Sequence, residues 1–398
     1  NTFIYQFNLS EYIFNHKEKE EWKGSELLLE LDGKRVADAV SVVINPNNTS
    51  EVFIATWGYG LLQLNNGKVS KVFTAKNSVL DSTVSGNVKI GALAFDKNNN
   101  LWISNSYVDH QLTVKTADNN WYSYALASVG ISSSNIFIDM IIDENDNKWI
   151  IEPKENSIVV FNHGTLAEPN TIRSKKLTSA LAGIPGTQLY TIAEDKDGEI
   201  WVGTDAGVAV FYNPSSVFDE DIKAEQIYVE QDGQTQLLLE TETVTSITID
   251  GANRKWIGTQ TSGVFLMSED GARQVEHFTT QNSPLFSNNI LDIVIDPETG
   301  EVYIGTEKGL ISYKGTATEG GDNYDNVFVY PNPVKPDFTG VIAIRGLLKD
   351  TDIRITDISG NIVYQTTSFG GQAVWDGRDF NGNKVQTGVY MIFNGSED

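Results

Sequence analysis

The sequence predicts an all-β protein in which a β-propeller is followed by a small immunoglobulin-like β-sandwich. Three observations support this prediction: a motif that recurs six times between Phe53 and Tyr303, a segment rich in Gly, Thr and acidic residues, and a last part made of short alternating apolar runs. Repeats of this length separated by turn residues are typical of propeller blades. We therefore expect a propeller at 1–313, a linker at 314–326 and a sandwich at 327–398.

Each copy of the motif has the pattern of antiparallel strands. In the copy at 245–267, an alternating apolar run is followed by an Asp-Gly turn, a second run that begins near Trp256, a Gly-centred loop and a third run. The anchors recur at intervals of 47 residues (Trp102 to Trp149) to 55 residues (Trp201 to Trp256). Strands joined by such turns form hairpins. The six anchors are Phe53, Trp102, Trp149, Trp201, Trp256 and Tyr303.

A fourth, more polar run follows the third in most copies. Examples are found at 68–74, 121–125 and 274–280. Charged and polar side chains suit the exposed edge strand of a sheet, so we expect four strands in each blade. A solenoid fits less well, because solenoid repeats are usually shorter and are closed by polar capping repeats.

Closure of the ring leaves two alternatives for the number of blades. The sixth copy stops after its third run at Tyr313, while residues 1–24 contain strand-like runs at 2–7, 12–14 and 21–23. These runs either complete the sixth blade or form most of a seventh. Three runs are more than one missing outer strand requires, so the pattern favours seven blades and leaves six open.

Composition excludes several classes of site and partner. A formal charge of -24 repels nucleic acid, and the absence of cysteine removes disulfides, thiolate metal sites and cysteine nucleophiles. The four histidines lack the short spacing of zinc ligands. No apolar run has the length of a transmembrane helix. We expect no cofactor, no metal, no nucleic-acid partner and no transmembrane segment.

The last part of the chain shows short strands and Asp-rich turns. Turn residues occur at 357–361 and 376–383, between apolar runs. Alternating short strands over about 70 residues are typical of a compact immunoglobulin-like sandwich, here without a disulfide. We expect the strands at 340–345, 352–357, 361–366, 373–375 and 388–393.

Specific motifs resemble two known protein modules. The terminal motifs resemble the carboxy-terminal domain carried by cargo and accessory proteins of the bacterial type IX secretion system, and the propeller copies resemble the two-component-regulator propeller repeat. Both modules in this order resemble a component of the type IX secretion system of Bacteroidetes. The terminal motifs are Tyr330-Pro-Asn-Pro333, 355–363 and 376–390, and the best propeller matches are 201–207, 256–263 and 303–309.

The resemblance implies a function at the cell surface. Members of this family act at the outer membrane, joined to a sortase-like peptidase and other secretion components, and help to attach secreted cargo to an anionic lipopolysaccharide without catalysis. We therefore expect an extracellular location at the outer membrane, with the periplasm as second choice. Such proteins carry two propellers before the terminal domain, so this chain is expected to be the second half of a longer protein.

The matched motifs are structural, so candidate binding residues come from the loops. In a propeller, the loops between the second and third strands lie on one face. Trp57, Tyr59 and Tyr107 occupy two of these loops. Exposed aromatic rings with polar neighbours suit stacking on sugars, which makes the three residues candidate glycan ligands. The alternative is that these rings pack between blades.

Other functions remain open at this point. The acidic runs at 143–147 and 195–199 lack the spacing of calcium-binding EF-hand loops and are expected to be hairpin turns. The sequence shows no nucleophile with a base and no carboxylate pair, yet propellers assemble enzyme sites from several loops. The main alternative is an extracellular glycan-sensing propeller domain of a hybrid two-component regulator, and a carbohydrate-active enzyme is a further one.

Overall fold

The computed structural model describes residues 14–18, 21–25, 30–31, 34–35, 38–166, 168, 171–231 and 234–395. These residues form strands and turns almost throughout. The helical elements include one α-helix of four residues, Ser179–Ala182, and short 3₁₀ turns at Ala127–Val129, Pro153–Glu155 and Pro214–Ser216.

Six antiparallel sheets contain the six copies of the motif. The first sheet has strands Ala39–Asn45, Asn48–Thr56, Leu61–Asn65 and Lys68–Phe73. The second has Lys89–Phe95, Leu101–Ser106, Leu112–Lys115 and Trp121–Tyr124. The third has Asp139–Ile142, Lys148–Glu152, Ser157–Asn162 and Arg173–Thr178.

The remaining three sheets follow in chain order. The fourth has strands Leu189–Glu194, Ile200–Thr204, Gly207–Phe211 and Glu225–Gln226. The fifth has Val244–Ile249, Lys255–Thr259, Val264–Met267 and Gln274–Phe278. The sixth has Ile290–Ile295, Glu301–Thr306 and Gly309–Lys314, and a separate hairpin pairs Tyr228–Gln231 with Gln234–Leu237.

Burial distinguishes the central strands of the sheets from the predicted outer strands. The second strands of the second, third, fourth and fifth sheets are buried at every residue. The fourth strands are mostly exposed or half-buried, as expected for polar edges. The first five anchors are buried, and Tyr303 is half-buried.

Three of the tryptophan anchors are fixed by the turn that precedes them. In each case the indole Nε1–H donates to an aspartate six residues earlier, and the same carboxylate accepts two backbone N–H groups of its own turn. A buried indole N–H needs such a partner. The pairs are Trp102 with Asp96 (2.9 Å), Trp149 with Asp143 (2.8 Å) and Trp256 with Asp250 (3.2 Å).

The chain divides into two compact units. The first contains residues 1–194, 198–202 and 211–225. One hydrophobic cluster in this unit is shared by the first and second sheets, around Phe53 and Ile103. A second cluster, which contains Trp102 and Phe161, is shared by the second and third sheets. Sheets that bury a face against each neighbour in this way pack as propeller blades.

The second unit contains residues 195–197, 203–210 and 226–398, so the fourth sheet has residues in both units. One hydrophobic cluster in this unit joins the fifth and sixth sheets through Trp256, Ile293 and Val302. Gly258 lets these sheets approach, because a Cβ there would lie 2.7 Å from a side-chain atom of Ile290.

Two three-stranded sheets form the terminal domain. One contains Phe328–Tyr330, Ile342–Arg345 and Gln372–Trp375, and the other contains Asp352–Thr356, Ile362–Thr367 and Met391–Gly395. Their inner faces share a core with Ile344, Ile353, Ile355 and Trp375. This is the packing of a small β-sandwich. The fold class predicted from the sequence, a β-propeller followed by a small sandwich, is confirmed.

The segment predicted as a linker, 314–326, makes specific contacts. Ala317 and Thr318 are buried, and the Thr318 carbonyl accepts the Gly371 N–H at 2.8 Å. Arg345 of the sandwich donates through Nη2 to the carbonyl of Thr299 at 3.1 Å. The three domain bounds stay a prediction.

The blade number depends on the amino-terminal residues. The strand-like run 2–7 lies outside the described residues, as does most of 12–14. The run 21–23 falls in strand Glu21–Ser25, which pairs with Phe14–Glu18, and a short hairpin joins Glu30–Leu31 to Lys34–Arg35. The choice between six and seven blades therefore stays a prediction. Within the described ranges, no helix is long and apolar enough to cross a membrane.

Candidate functional site

The loop that carries Trp57 and Tyr59 is shaped by a threonine and a glycine. Thr56 Oγ1 accepts the Tyr59 N–H at 2.9 Å and donates to the Gly60 carbonyl at 2.8 Å. Gly60 has φ +85°, and a Cβ there would lie 2.2 Å from the Phe73 carbonyl oxygen, so glycine is required. The same Thr-to-Gly bond recurs at Thr204–Gly207, Thr259–Gly263 and Thr306–Gly309. The shared part of the motif thus builds the loop.

Trp57 and Tyr107 meet although they belong to different sheets. Their ring centroids are 6.3 Å apart at an interplanar angle of 69°, an edge-to-face arrangement. Trp57 is half-buried and Tyr107 is 37% exposed. The backbone fixes both, since the Trp57 N–H donates to Asp38 and the Tyr107 N–H to Asn135. The structure therefore brings together two of the three predicted ligands.

Lys89 joins these two rings. It begins the first strand of the second sheet and pairs in register with Ser106, the residue before Tyr107. Its Nζ lies 5.3 Å from the Trp57 ring centroid and 4.9 Å from that of Tyr107. Both distances are within the range of a cation–π interaction. We call Trp57, Lys89 and Tyr107 the aromatic–lysine cluster.

Tyr59, the third predicted ligand, lies elsewhere. It is half-buried and packs against the core formed by Ile54, Leu62 and Leu64 of the first sheet. Its backbone forms an isolated bridge with Val88. The contacts of Tyr59 are those of a packing residue, which was the alternative considered for all three rings.

A second lysine contacts the segment that holds the Tyr107 backbone. Lys154 Nζ donates to the carbonyl and hydroxyl oxygens of Ser134, at 3.2 and 3.1 Å, and Ser134 precedes the residue that accepts the Tyr107 N–H. The nearby Glu155 forms an ion pair with Lys176, which lowers the pKa of that carboxyl. This region therefore presents two ammonium groups in a chain of formal charge -24.

In other sheets, carboxylates at the end of the second strand or in the loops after it accept hydrogen bonds that stabilise those loops. Glu152 is buried and accepts the Glu155 N–H at 2.8 Å and the Asn135 amide at 3.0 Å. Glu307 accepts from Ser287 and Asn289, which lowers the pKa of Glu307. In the part of the chain that the structure describes, no group of three or more His, Asp or Glu could hold a metal ion.

Comparison with known proteins identifies both modules. The family model described as "Secretion system C-terminal sorting domain" matches residues 328–397. The family model described as "Two component regulator propeller" matches residues 183–206. None of the curated protein sequences matches the chain. The match at 328–397 covers the domain that contains the Tyr330-Pro-Asn-Pro333 motif.

Among solved structures, the chain resembles PorZ, an essential surface component of the type IX secretion system of Porphyromonas gingivalis. The identity is 29%, the TM-score is 0.66, and the match covers 89% of this chain and 49% of PorZ. The chain thus spans about half the length of PorZ. A streptogramin B lyase shares the fold at 12% identity and a TM-score of 0.51, covering 74% of this chain and 83% of the lyase.

Proposed function

We propose that this chain belongs to a cell-surface component of a type IX secretion system, located at the outer membrane. The observation that carries the proposal is the combination of 29% identity to PorZ over 89% of the chain with a sorting domain at 328–397. In this proposal the protein acts with a sortase-like peptidase and other secretion components, and it helps to attach secreted cargo to anionic lipopolysaccharide.

The aromatic–lysine cluster is the proposed contact with that lipopolysaccharide. The faces of Trp57 and Tyr107 offer flat apolar surfaces to the C–H face of a sugar ring. Lys89, over both rings, and Lys154, bonded to the segment that holds Tyr107, supply positive charge for a carboxylate or phosphate on the glycan. The protein is strongly acidic, so a local pair of lysines is needed to overcome the repulsion that an anionic glycan meets elsewhere.

The proposed function is binding without catalysis. The cluster contains two rings and an ammonium but neither a carboxylate nor a histidine, the groups that most often transfer protons in hydrolysis. The likeness to the lyase at 12% identity shows the fold alone. We expect the purified protein to degrade no polysaccharide when it is assayed on a broad panel.

A binding experiment with matched variants tests the cluster. Trp57→Ala and Lys89→Met are each expected to weaken binding to immobilised anionic lipopolysaccharide about fivefold or more, since each removes an interaction of roughly 1 kcal/mol. Lys71→Met is the control, because Lys71 also lies over a ring, that of Phe73 at 4.5 Å, outside the cluster. A large fall in the melting temperature of Trp57→Ala with unchanged binding would show that Trp57 only packs.

The match of 183–206 to the two-component-regulator propeller favours a second candidate, an extracellular glycan sensor. A gene deletion separates the two functions. Loss of cargo from the cell surface, with cargo released into the medium, is expected for the secretion component. Normal anchoring together with altered transcription of polysaccharide-utilisation genes would favour the sensor.

A further inference from the structure

A pocket lies in the first unit, at the strand ends opposite the aromatic–lysine cluster. It has a volume of about 100 Å³ and lies between turns of the first and second sheets. Glu51 in this pocket precedes Trp57 by six residues of nearly continuous strand, which separates the two sites by about 20 Å. Its lining includes Asn45, Glu51, Phe95, Asn99, Lys115 and Asn119.

Lys115 is a buried ammonium group in this pocket. The residue is 9% exposed and ends the third strand of the second sheet. Among the described residues, its Nζ has neither a hydrogen bond nor an ion pair. The Nζ atom lies 5.8 Å from the centroid of the Phe53 ring. Burial lowers the pKa of Lys115, partly opposed by the charge of Glu51. The ammonium group thus has no acceptor from the protein, and a ligand in the pocket can supply one.

Two further polar groups face the same space. Asn99 Oδ1 is buried without a hydrogen-bond partner in the part of the chain that is described. Glu51 accepts hydrogen bonds from Asn45 and from Gln63, the latter at 2.6 Å, which leaves lone pairs on both of its oxygens. The pocket therefore contains one hydrogen-bond donor without an acceptor, the Lys115 ammonium. It also contains two groups that can accept hydrogen bonds, Asn99 Oδ1 and the Glu51 carboxylate.

We propose that this pocket binds a single neutral sugar residue or small polyol. A hydroxyl group donates and accepts at once, so neighbouring hydroxyls satisfy Lys115, Asn99 and Glu51 together. Phe95, in edge-to-face contact with Phe53 at 6.0 Å, gives the pocket an apolar wall for the C–H face of the ring. The ammonium and the carboxylate balance in charge, which disfavours an anion. The volume of about 100 Å³ exceeds the space of one water and limits the ligand to a small molecule.

This site is independent of the proposed function. Binding of anionic lipopolysaccharide through the cluster and binding of a neutral sugar in the pocket involve different residues at opposite strand ends. Either can fail without the other.

Saturation-transfer NMR on the purified chain tests the pocket with D-glucose, D-galactose, D-mannose and glycerol, one at a time. At least one is expected to receive saturation, and both Lys115→Met and Asn99→Gly are expected to bind it about tenfold more weakly. Asn99 has φ +61°, so glycine fits its backbone. Asn66→Gly is the matched control, since Asn66 is exposed in a hairpin turn at φ +50° outside the pocket.

Stability separates a binding role from a packing role. Lys115→Met is expected to raise the melting temperature while it weakens sugar binding, because methionine removes an ammonium group whose charge is disfavoured by burial. If Lys115→Met does not fold, the sugar binding of Asn99→Gly alone tests the proposal. The proposal is overturned if none of the four compounds receives saturation, as in a pocket that holds only water. It is also overturned if binding survives both substitutions, or if Trp57→Ala abolishes it.

Discussion

Replacing Asp143 by alanine tests how the repeated motif holds a blade together. Asp143 is buried, and its Oδ1 accepts the N–H groups of Asn145 and Asn147 at 2.9 and 2.8 Å. Its Oδ2 accepts the Asn147 side-chain amide and the Trp149 indole N–H, both at 2.8 Å. Alanine removes all four acceptor contacts at once.

The expected loss follows from which donors remain buried. Asn145 is exposed, so its N–H can turn to water. Asn147 and Trp149 are buried, and their donors lose their partners without access to solvent. Each buried donor that loses its acceptor costs about 1–3 kcal/mol. Asp143→Ala is therefore expected to lower the free energy of unfolding by about 3–5 kcal/mol.

Urea denaturation followed by tryptophan fluorescence measures this loss. Asp357→Ala is the matched control: Asp357 accepts the same kind of bonds, from the N–H groups of Ser359 and Asn361 and from the Asn361 amide, but at an exposed turn without an indole. A smaller loss is expected there. If Asp143→Ala costs less than about 1 kcal/mol, or no more than the control, the buried acceptor is not what fixes the anchor.

Two further predictions concern pH and domain contact. Burial raises the pKa of Glu194 to about 6, so the folded state retains a proton that the unfolded state loses, and stability falls as pH rises from about 4.5 through 6. Glu194→Gln should therefore raise the melting temperature above pH 6 and leave it unchanged below about pH 4.5; a constant difference across pH would contradict this. Gly251→Ala places a Cβ 1.9 Å from the Thr318 carbonyl and should cost about 1–3 kcal/mol, whereas Gly395→Ala has nothing within 4 Å and should be near neutral in the same denaturation assay. Equal effects of the two alanines would refute the contact.

The strands could be predicted because their signals are local. Alternating apolar residues, Asp-Gly turns and a regular anchor spacing fix a hairpin without knowledge of its neighbours. The predicted outer strand at 274–280 is found at Gln274–Phe278, for example. The aspartate six residues before each tryptophan was also visible, but its bond to the indole was not anticipated. This spacing occurs in four copies of the sequence, and it is the signal for the bond.

The candidate site could be predicted only in part, because it forms between sheets. Trp57 and Tyr107 are 50 residues apart and meet only when two sheets pack side by side. Lys89 and Lys115 have no distinguishing sequence context, so neither was identified. Tyr59 shares its loop with Trp57 but packs against the core of the first sheet, a contact that the loop sequence does not indicate.

The bond from each of the tryptophan anchors Trp102, Trp149 and Trp256 to its own turn also bears on how the repeat can evolve. Because the aspartate and the indole are six residues apart, a duplicated stretch of gene carries a complete anchor with it. A new copy then needs only a compatible face toward its neighbours, as in other repeat arrays. The residues between Thr56 and Gly60 are free to diverge after duplication, so one copy can gain a ligand while the others continue to hold the ring.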